Sequence, residues 1–338
     1  RNGEEIVLFE QKFSGVALLE KFFRKTLMLV KNHFPTERIT KLVVTVQDTE
    51  PVLVDGVYEA LRLLGIDKDR ATVMSHAGAY LYYALSQESS LWMNDVGLFD
   101  FNEHGLKFYQ IHLNRRAKPI VASLSKKDLS EEFRLDMLER KDIDIIYTFK
   151  TLADTVLFKQ IISTLYFTGK GFTGEWAKDA IKSLSIRGRA FLGQNLYTKG
   201  ACYAAKEFSG DSSLENYLLL NEEMITSSLW IRVYRDAKMV DLPIADAGTP
   251  WYEVNKSFEV IPEDETVVEI IIRDIMTREV FREQLVLNAM PKRPKRMTRL
   301  KINVTGTSSN NAKITIMDLG FGDFYPALGQ VWEFLIDI

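Results

Sequence analysis

The residues of this chain best suited to chemistry lie in one turn and one hairpin. An apolar β-type run through Leu165 and Tyr166 leads into Gly169-Lys170-Gly171, with an amphipathic helical run behind it. A Gly-x-Gly turn there leaves bare backbone at the carboxyl end of a buried strand, where an open α/β sheet receives a ligand. Over residues 95–113 two alternating apolar segments flank Asn102 to Gly105, predicting a β-hairpin with Asp100 on its first arm and a polar tip. His76 opens a helical run, where its imidazole could contact a ligand, cap the helix or pack. The cluster Lys292, Arg293, Lys295, Arg296 and Arg299 could bind an acidic partner or simply form a solvated loop. The sequence offers no Ser-His-Asp set, no metal-ligand cluster and no Walker-type lysine loop.

These residues need elements to position them. From 14 to 32, Val16, Leu19, Phe23, Leu27 and Val30 recur at helical spacing behind Ser14, a natural N-cap. Residues 39–46 read as a β-branched strand, 52–64 as a helix closed by Gly65, 71–75 as a strand, and 76–85 as a helix. That alternation predicts an α/β layer built by crossover connections. Residues 118–164 read as mostly helical and charged, with Lys126, Lys127, Arg140 and Lys141 on solvated faces. The run Lys199-Gly200-Ala201-Cys202-Tyr203-Ala204-Ala205 carries small residues that let a helix lie close against its neighbour. After Gly210 the pattern changes to period two, at 227–234, 266–273, 279–287, 299–305 and 312–318, which predicts an antiparallel sandwich. The aromatic stretches at 320–326 and 332–336 should pack on it.

With 338 residues, 46% of them hydrophobic and 26% charged, the chain can bury large cores and should divide into two or three domains. Its formal net charge of -3 gives no global field to draw in nucleic acid or an anionic membrane, so neither is expected as a partner. The single Cys202 excludes an internal disulfide framework and a thiolate metal cluster, which fits a reducing cytoplasm. No run approaches the roughly 18 apolar residues of a spanning helix. The chain opens abruptly beside a strand at residues 6–9, which suggests a fragment or a processed chain with residues missing upstream.

Taken in order, these motifs resemble the actin-like ATPase superfamily, most closely the seventy-kilodalton heat-shock (DnaK-type) chaperones. The resemblance is carried by the helix at 14–32, the Val-Thr-Val strand, the helix ending in Leu64-Gly65, and the helix opened by His76-Ala77-Gly78-Ala79. It continues through the Asp100 hairpin, the Gly169-Lys170-Gly171 turn, and the Pro-bearing connection at 291–294 before a long hairpin. It implies an α/β lobe of the actin-like ATPase (ribonuclease H-like) fold over 1–210, with a helical insert at about 122–164 and the N-terminal lobe absent. A substrate-binding-like β-sandwich would follow over 211–338. It also implies ATP or ADP with magnesium as cofactor, with Asp100 and Gly105 in the second phosphate loop and Gly169, Lys170 and Gly171 in the adenosine turn. The family's Gly run is replaced here by Phe101, Asn102, Glu103 and His104, and the first phosphate loop is not in the chain. The expectation is therefore a chaperone-like or scaffold protein that binds polypeptide partners and has a degenerate nucleotide cleft, with no catalytic residue and no hydrolysis. The alternatives are an active ATP-dependent chaperone completed by upstream residues and an actin-like filament component.

Overall fold

The computed structural model describes residues 6–8, 10–186, 188–262 and 266–338. The chain forms two compact units, one of Arg1–Leu113 with Ala122–Tyr217, the other of Asn114–Val121 with Leu218–Ile338.

The first unit is mixed α/β. After the hairpin β1 (Ile6–Leu8) and β2 (Gln11–Phe13) come α1 (Gly15–His33), β3 (Leu42–Val46), α2 (Pro51–Arg62), β4 (Ala71–Ser75) and α3 (His76–Leu85). Ser14 caps α1, its side chain accepting from the Ala17 amide. The strands β3 and β4 pair in parallel, and α1 and α2 cover them through Leu19, Phe23, Leu27, Val54, Val57 and Leu61. Next follow β5 (Asp95–Asn102), β6 (Gly105–Asn114), β7 (Ile120–Asp128), α4 (Ile145–Val156), β8 (Ile162–Thr168), α5 (Glu175–Leu184), β9 (Arg189–Leu192), α6 (Leu196–Phe208) and the short β10 (Tyr217–Leu220). While β10 straddles the boundary between the units at Tyr217 and Leu218, β7, β6, β5, β8 and β9 lie side by side in that order in a mixed sheet. Within it β5 runs antiparallel to β6 and parallel to β8, and β8 parallel to β9.

Successive side chains of β5 and β8 go to opposite faces of this sheet. Phe99, Phe101, Leu165 and Phe167 join Phe149, Ala153, Phe172, Ala177 and Ala180 in an aromatic-rich core beneath α4 and α5. The other face receives α3 and α6, where Gly200 allows close contact: a Cβ there would stand 1.9 Å from the Ala79 carbonyl oxygen. Cys202, in the same small-residue helix, is exposed. The helical insert expected over 122–164 needs correction at both ends, since residues 120–128 are β7 and β8 begins at Ile162. Buried Val121, Ala122 and Leu124 hold β7 in the sheet, while its charged end at 126–128 is exposed and mimics a solvated helix in the sequence.

The second unit is β-rich. It contains β11 (Ser227–Arg235), β12 (Lys238–Ala245), β13 (Asn255–Val260), β14 (Val267–Asp274), β15 (Val280–Val286), β16 (Leu300–Ser308), β17 (Asn311–Asp318) and β18 (Val331–Asp337). Two four-stranded antiparallel sheets, β12-β11-β14-β15 and β13-β16-β17-β18, share one core that includes Leu229, Ile231, Ile270, Leu285, Ile302, Val304, Ile314 and Ile316. The expected pairing of the last two alternating segments is the register Ile302↔Ile316, Val304↔Ile314. Trp332 and Ile336 of β18 pack into the core, whereas Phe324 is 92% exposed.

Candidate functional site

The hairpin register fixes the first part of the site. Asn102 pairs with Gly105 across the turn, so Asp100 lies directly opposite Lys107, and both side chains are buried. The parallel partner of Asp100 on β8 is Thr168, immediately before the Gly169 turn. Asp100 thus stands at the carboxyl end of the central strand, on the face that carries α3 and α6. From α6, the Tyr197 hydroxyl donates to Asp100 Oδ2 at 2.7 Å, while Asn102 Nδ2 donates to Oδ1 at 3.2 Å. The Tyr197 ring stacks on the imidazole of His76, the first residue of α3, at 4.1 Å between centroids. The N-cap of that helix is Ser75, whose hydroxyl accepts from the Gly78 amide, so His76 serves packing there rather than capping.

Burial dominates the electrostatics of this cluster. It raises the Asp100 pKa above the usual carboxylate value, against the hydrogen bonds from Tyr197 and Asn102 and the nearby Lys107 charge, which pull it down. Burial also lowers the pKa of His76 and, with Asp100 beside it, raises that of Tyr197 well above the ordinary phenol value. The result is a carboxyl held in a polar but enclosed setting, capped by a phenol and an amide.

The glycines lie close by, and other parts of the chain occupy their open side. A Cβ at Gly169 would come 2.1 Å from the Phe101 carbonyl oxygen, and one at Gly171 would come 2.1 Å from the Phe101 ring. The Gly171 amide donates to that same carbonyl at 2.9 Å. The positive φ of Gly169, 101°, is a second reason for glycine there. At the hairpin, Gly105 lies under Ser130, whose Cβ would be 2.5 Å from an added Cβ. Lys170 reaches across to Glu103 in an exposed ion pair at 2.5 Å, which lowers the Glu103 pKa.

Asp100 and the Gly169-Lys170-Gly171 turn therefore meet on adjacent strands, but they face opposite sides: Asp100 toward α6, and the ring against Gly171 toward α5. Lys107 and Tyr197 stand outside the motifs that the sequence displays. Lys107 was within reach of the hairpin register, since a turn at 102–105 places 100 opposite 107. Tyr197 sits 97 positions from Asp100, and no local pattern announces it.

Comparison with known families adds two matches. A family model described as "Family of unknown function (DUF5716) C-terminal" matches residues 1–222, and one described as "Domain of unknown function (DUF8552)" matches residues 224–338. The two matches meet close to the boundary between the structural units at Tyr217 and Leu218. No curated protein matches the chain.

Proposed function

Because the chain belongs to the DUF5716 C-terminal family, whose function is unknown, we propose from its own geometry that it is a chaperone-like or scaffold protein. In this reading it carries an actin-like, heat-shock-type lobe with a degenerate nucleotide cleft and a β-sandwich that binds polypeptide. Support for the lobe comes from the order of its elements. The crossover units β3-α2-β4-α3 precede an Asp-bearing hairpin, and its central strand β5 lies parallel to β8, whose end carries the Gly-x-Gly turn. The two-sheet unit that follows supplies the sandwich.

One observation carries the loss of nucleotide chemistry: Phe101 occupies the space that Gly169 and Gly171 leave open, while Tyr197 caps Asp100. A magnesium nucleotide needs amides and a carboxylate open to it, and stabilisation of a transferring phosphoryl group needs preorganised donors. In this chain the Gly105 backbone is covered by Ser130, the Gly171 amide donates to the Phe101 carbonyl, and the Lys170 ammonium, the turn's one cation, is taken up by Glu103. These residues do not fit ATP or ADP with magnesium.

Two assays test the reading. The purified chain should release no phosphate from ATP, and Mg-ATP should leave its melting temperature unchanged, although a ligand at one hundred times its Kd would stabilise by about 2.7 kcal/mol. Steady turnover abolished by Asp100→Asn would overturn the degenerate cleft in favour of a working ATPase. The chain should also suppress aggregation of a chemically denatured enzyme on dilution, followed by light scattering. Failure there, together with concentration-dependent scattering by the chain alone, would favour a filament component instead.

A further inference from the structure

At the β16–β17–β18 sheet, two connections are locked together around one buried ion pair. Arg293, in the connection between β15 and β16, donates from Nη1 to Asp318 Oδ1 at 2.6 Å and from Nη2 to Oδ2 at 2.8 Å, both side chains almost inaccessible. Arg293 also donates to the Pro326 carbonyl at 2.9 Å, while Asp318 accepts from the Gly320 and Leu328 amides. Backbone bonds Leu319 N to Arg299 O and Arg299 N to Gly320 O complete the frame.

This frame fixes a loop whose side chains avoid its own core. Phe324 is 92% exposed and Leu328 68%, with Phe321 and Met297 also exposed. Such apolar display on a backbone held by charge-assisted hydrogen bonds calls for a partner. The chemistry of that partner is set by the adjoining connection. Residues 291–301 contain Lys292, Arg293, Lys295, Arg296, Arg299 and Lys301 and no acidic residue. Arg293 is paired with Asp318 and Arg299 with Glu259 at 3.5 Å, while Lys292, Lys295 and Arg296 are exposed and outnumber the loop's one acidic residue, Asp323. The whole-chain net charge of -3 conceals this local concentration.

We propose that this platform is a docking surface for an anionic lipid bilayer, with Phe324 and Leu328 entering the interface and the exposed Lys292, Lys295 and Arg296 meeting the headgroups. A bilayer accepts protruding apolar side chains without a complementary pocket, and its anionic leaflet attracts flanking Lys and Arg. Leu328 and Met297, half of the exposed apolar set beside Phe324 and Phe321, give nucleic-acid bases nothing to stack on but suit hydrocarbon, which favours a bilayer over a single strand. The inference goes beyond the chaperone-like reading and does not depend on it.

Co-sedimentation of the full chain with vesicles of phosphatidylcholine containing phosphatidylserine tests it, with pure phosphatidylcholine vesicles as comparison. Binding to the anionic vesicles only, weakened roughly tenfold or more by Phe324→Ser and by Lys295→Glu with Arg296→Glu, is the expected result. Because Phe324 touches little of its own chain, Phe324→Ser should leave the melting temperature in place and so isolate binding from folding. Equal binding to neutral vesicles, no binding, or undiminished binding by either variant would overturn the proposal. So would Phe324-dependent capture of polyglutamate or a single-stranded oligonucleotide in the absence of vesicle binding.

Discussion

Asp100 is a carboxyl whose surroundings oppose its ionisation. Its folded pKa is raised above the ordinary 3.8, chiefly by burial. The folded state therefore holds that proton more tightly than the unfolded chain does. The stability this contributes is full below 3.8 and is lost as pH rises through the raised folded value. At neutral pH the buried charge is thus a burden on folding, offset by the Tyr197 and Asn102 hydrogen bonds. Asp100→Asn keeps an acceptor for Tyr197 and removes the charge. Urea unfolding at pH 7 should find this variant as stable as the parent or up to about 1 kcal/mol more stable, with a flatter pH dependence through the acidic range. A loss of about 3 kcal/mol would instead mean that Asp100 and Lys107 act as a buried ion pair, one of whose members had been left uncompensated.

At the scale of elements, two contacts decide how segments meet. The helices α3 and α6 approach so closely that a methyl group on Gly200 would meet the Ala79 carbonyl oxygen at 1.9 Å, and backbone cannot swing aside as a long side chain can. Alanine raises helix propensity by up to about 1 kcal/mol. Overpacking typically costs about 1–3 kcal/mol, so Gly200→Ala should lower the urea midpoint. A higher midpoint would show that the helices separate freely. In the sandwich, the Arg293 hydrogen bonds hold the Asp318 pKa at about 2, below its ordinary 3.8. A depressed carboxyl stabilises above its unfolded value, and that stability disappears as pH falls through the folded one. Asp318→Asn should therefore cost about 3 kcal/mol or more at pH 7 by leaving Arg293 buried without its charge partner. The gap between variant and parent should narrow as the pH of the unfolding series drops from 3.8 toward about 2. A gap constant across that range would assign the cost to packing alone.

For the whole molecule, the two units have cores with no residue in common. Phe149 anchors the aromatic core of the first and Ile314 the sandwich core of the second, both fully buried. Truncating each to alanine should cost about 3–5 and about 2–5 kcal/mol respectively. In the Phe149→Ala, Ile314→Ala double variant the losses should sum to within about 0.5 kcal/mol when each unfolding transition is fitted. A coupling term well above that would show that the two cores interact energetically.

The sequence by itself determined the elements whose side chains repeat. Val16, Leu19, Phe23 and Leu27 behind Ser14 gave α1, and the alternation through Ile302, Val304, Ile314 and Ile316 gave the β16–β17 hairpin. Helical and period-two burial are set by neighbours a few residues apart, so they are written in the chain itself. The small residues around Gly200 announced a close helix contact in the same way, though not its partner. The strand β7 was hidden because its exposed Lys126, Lys127 and Asp128 end obscures a short buried run. Asp100 and the Gly169 turn were legible as points of interest, since a carboxylate on a hairpin arm and a glycine turn after an apolar run are local signals. Only the tertiary structure decided what they do. It set Phe101 against Gly171, Ser130 over Gly105 and Tyr197 on Asp100. Which side chain fills the space beside a glycine depends on contacts between segments far apart in sequence, and local periodicity carries no record of them.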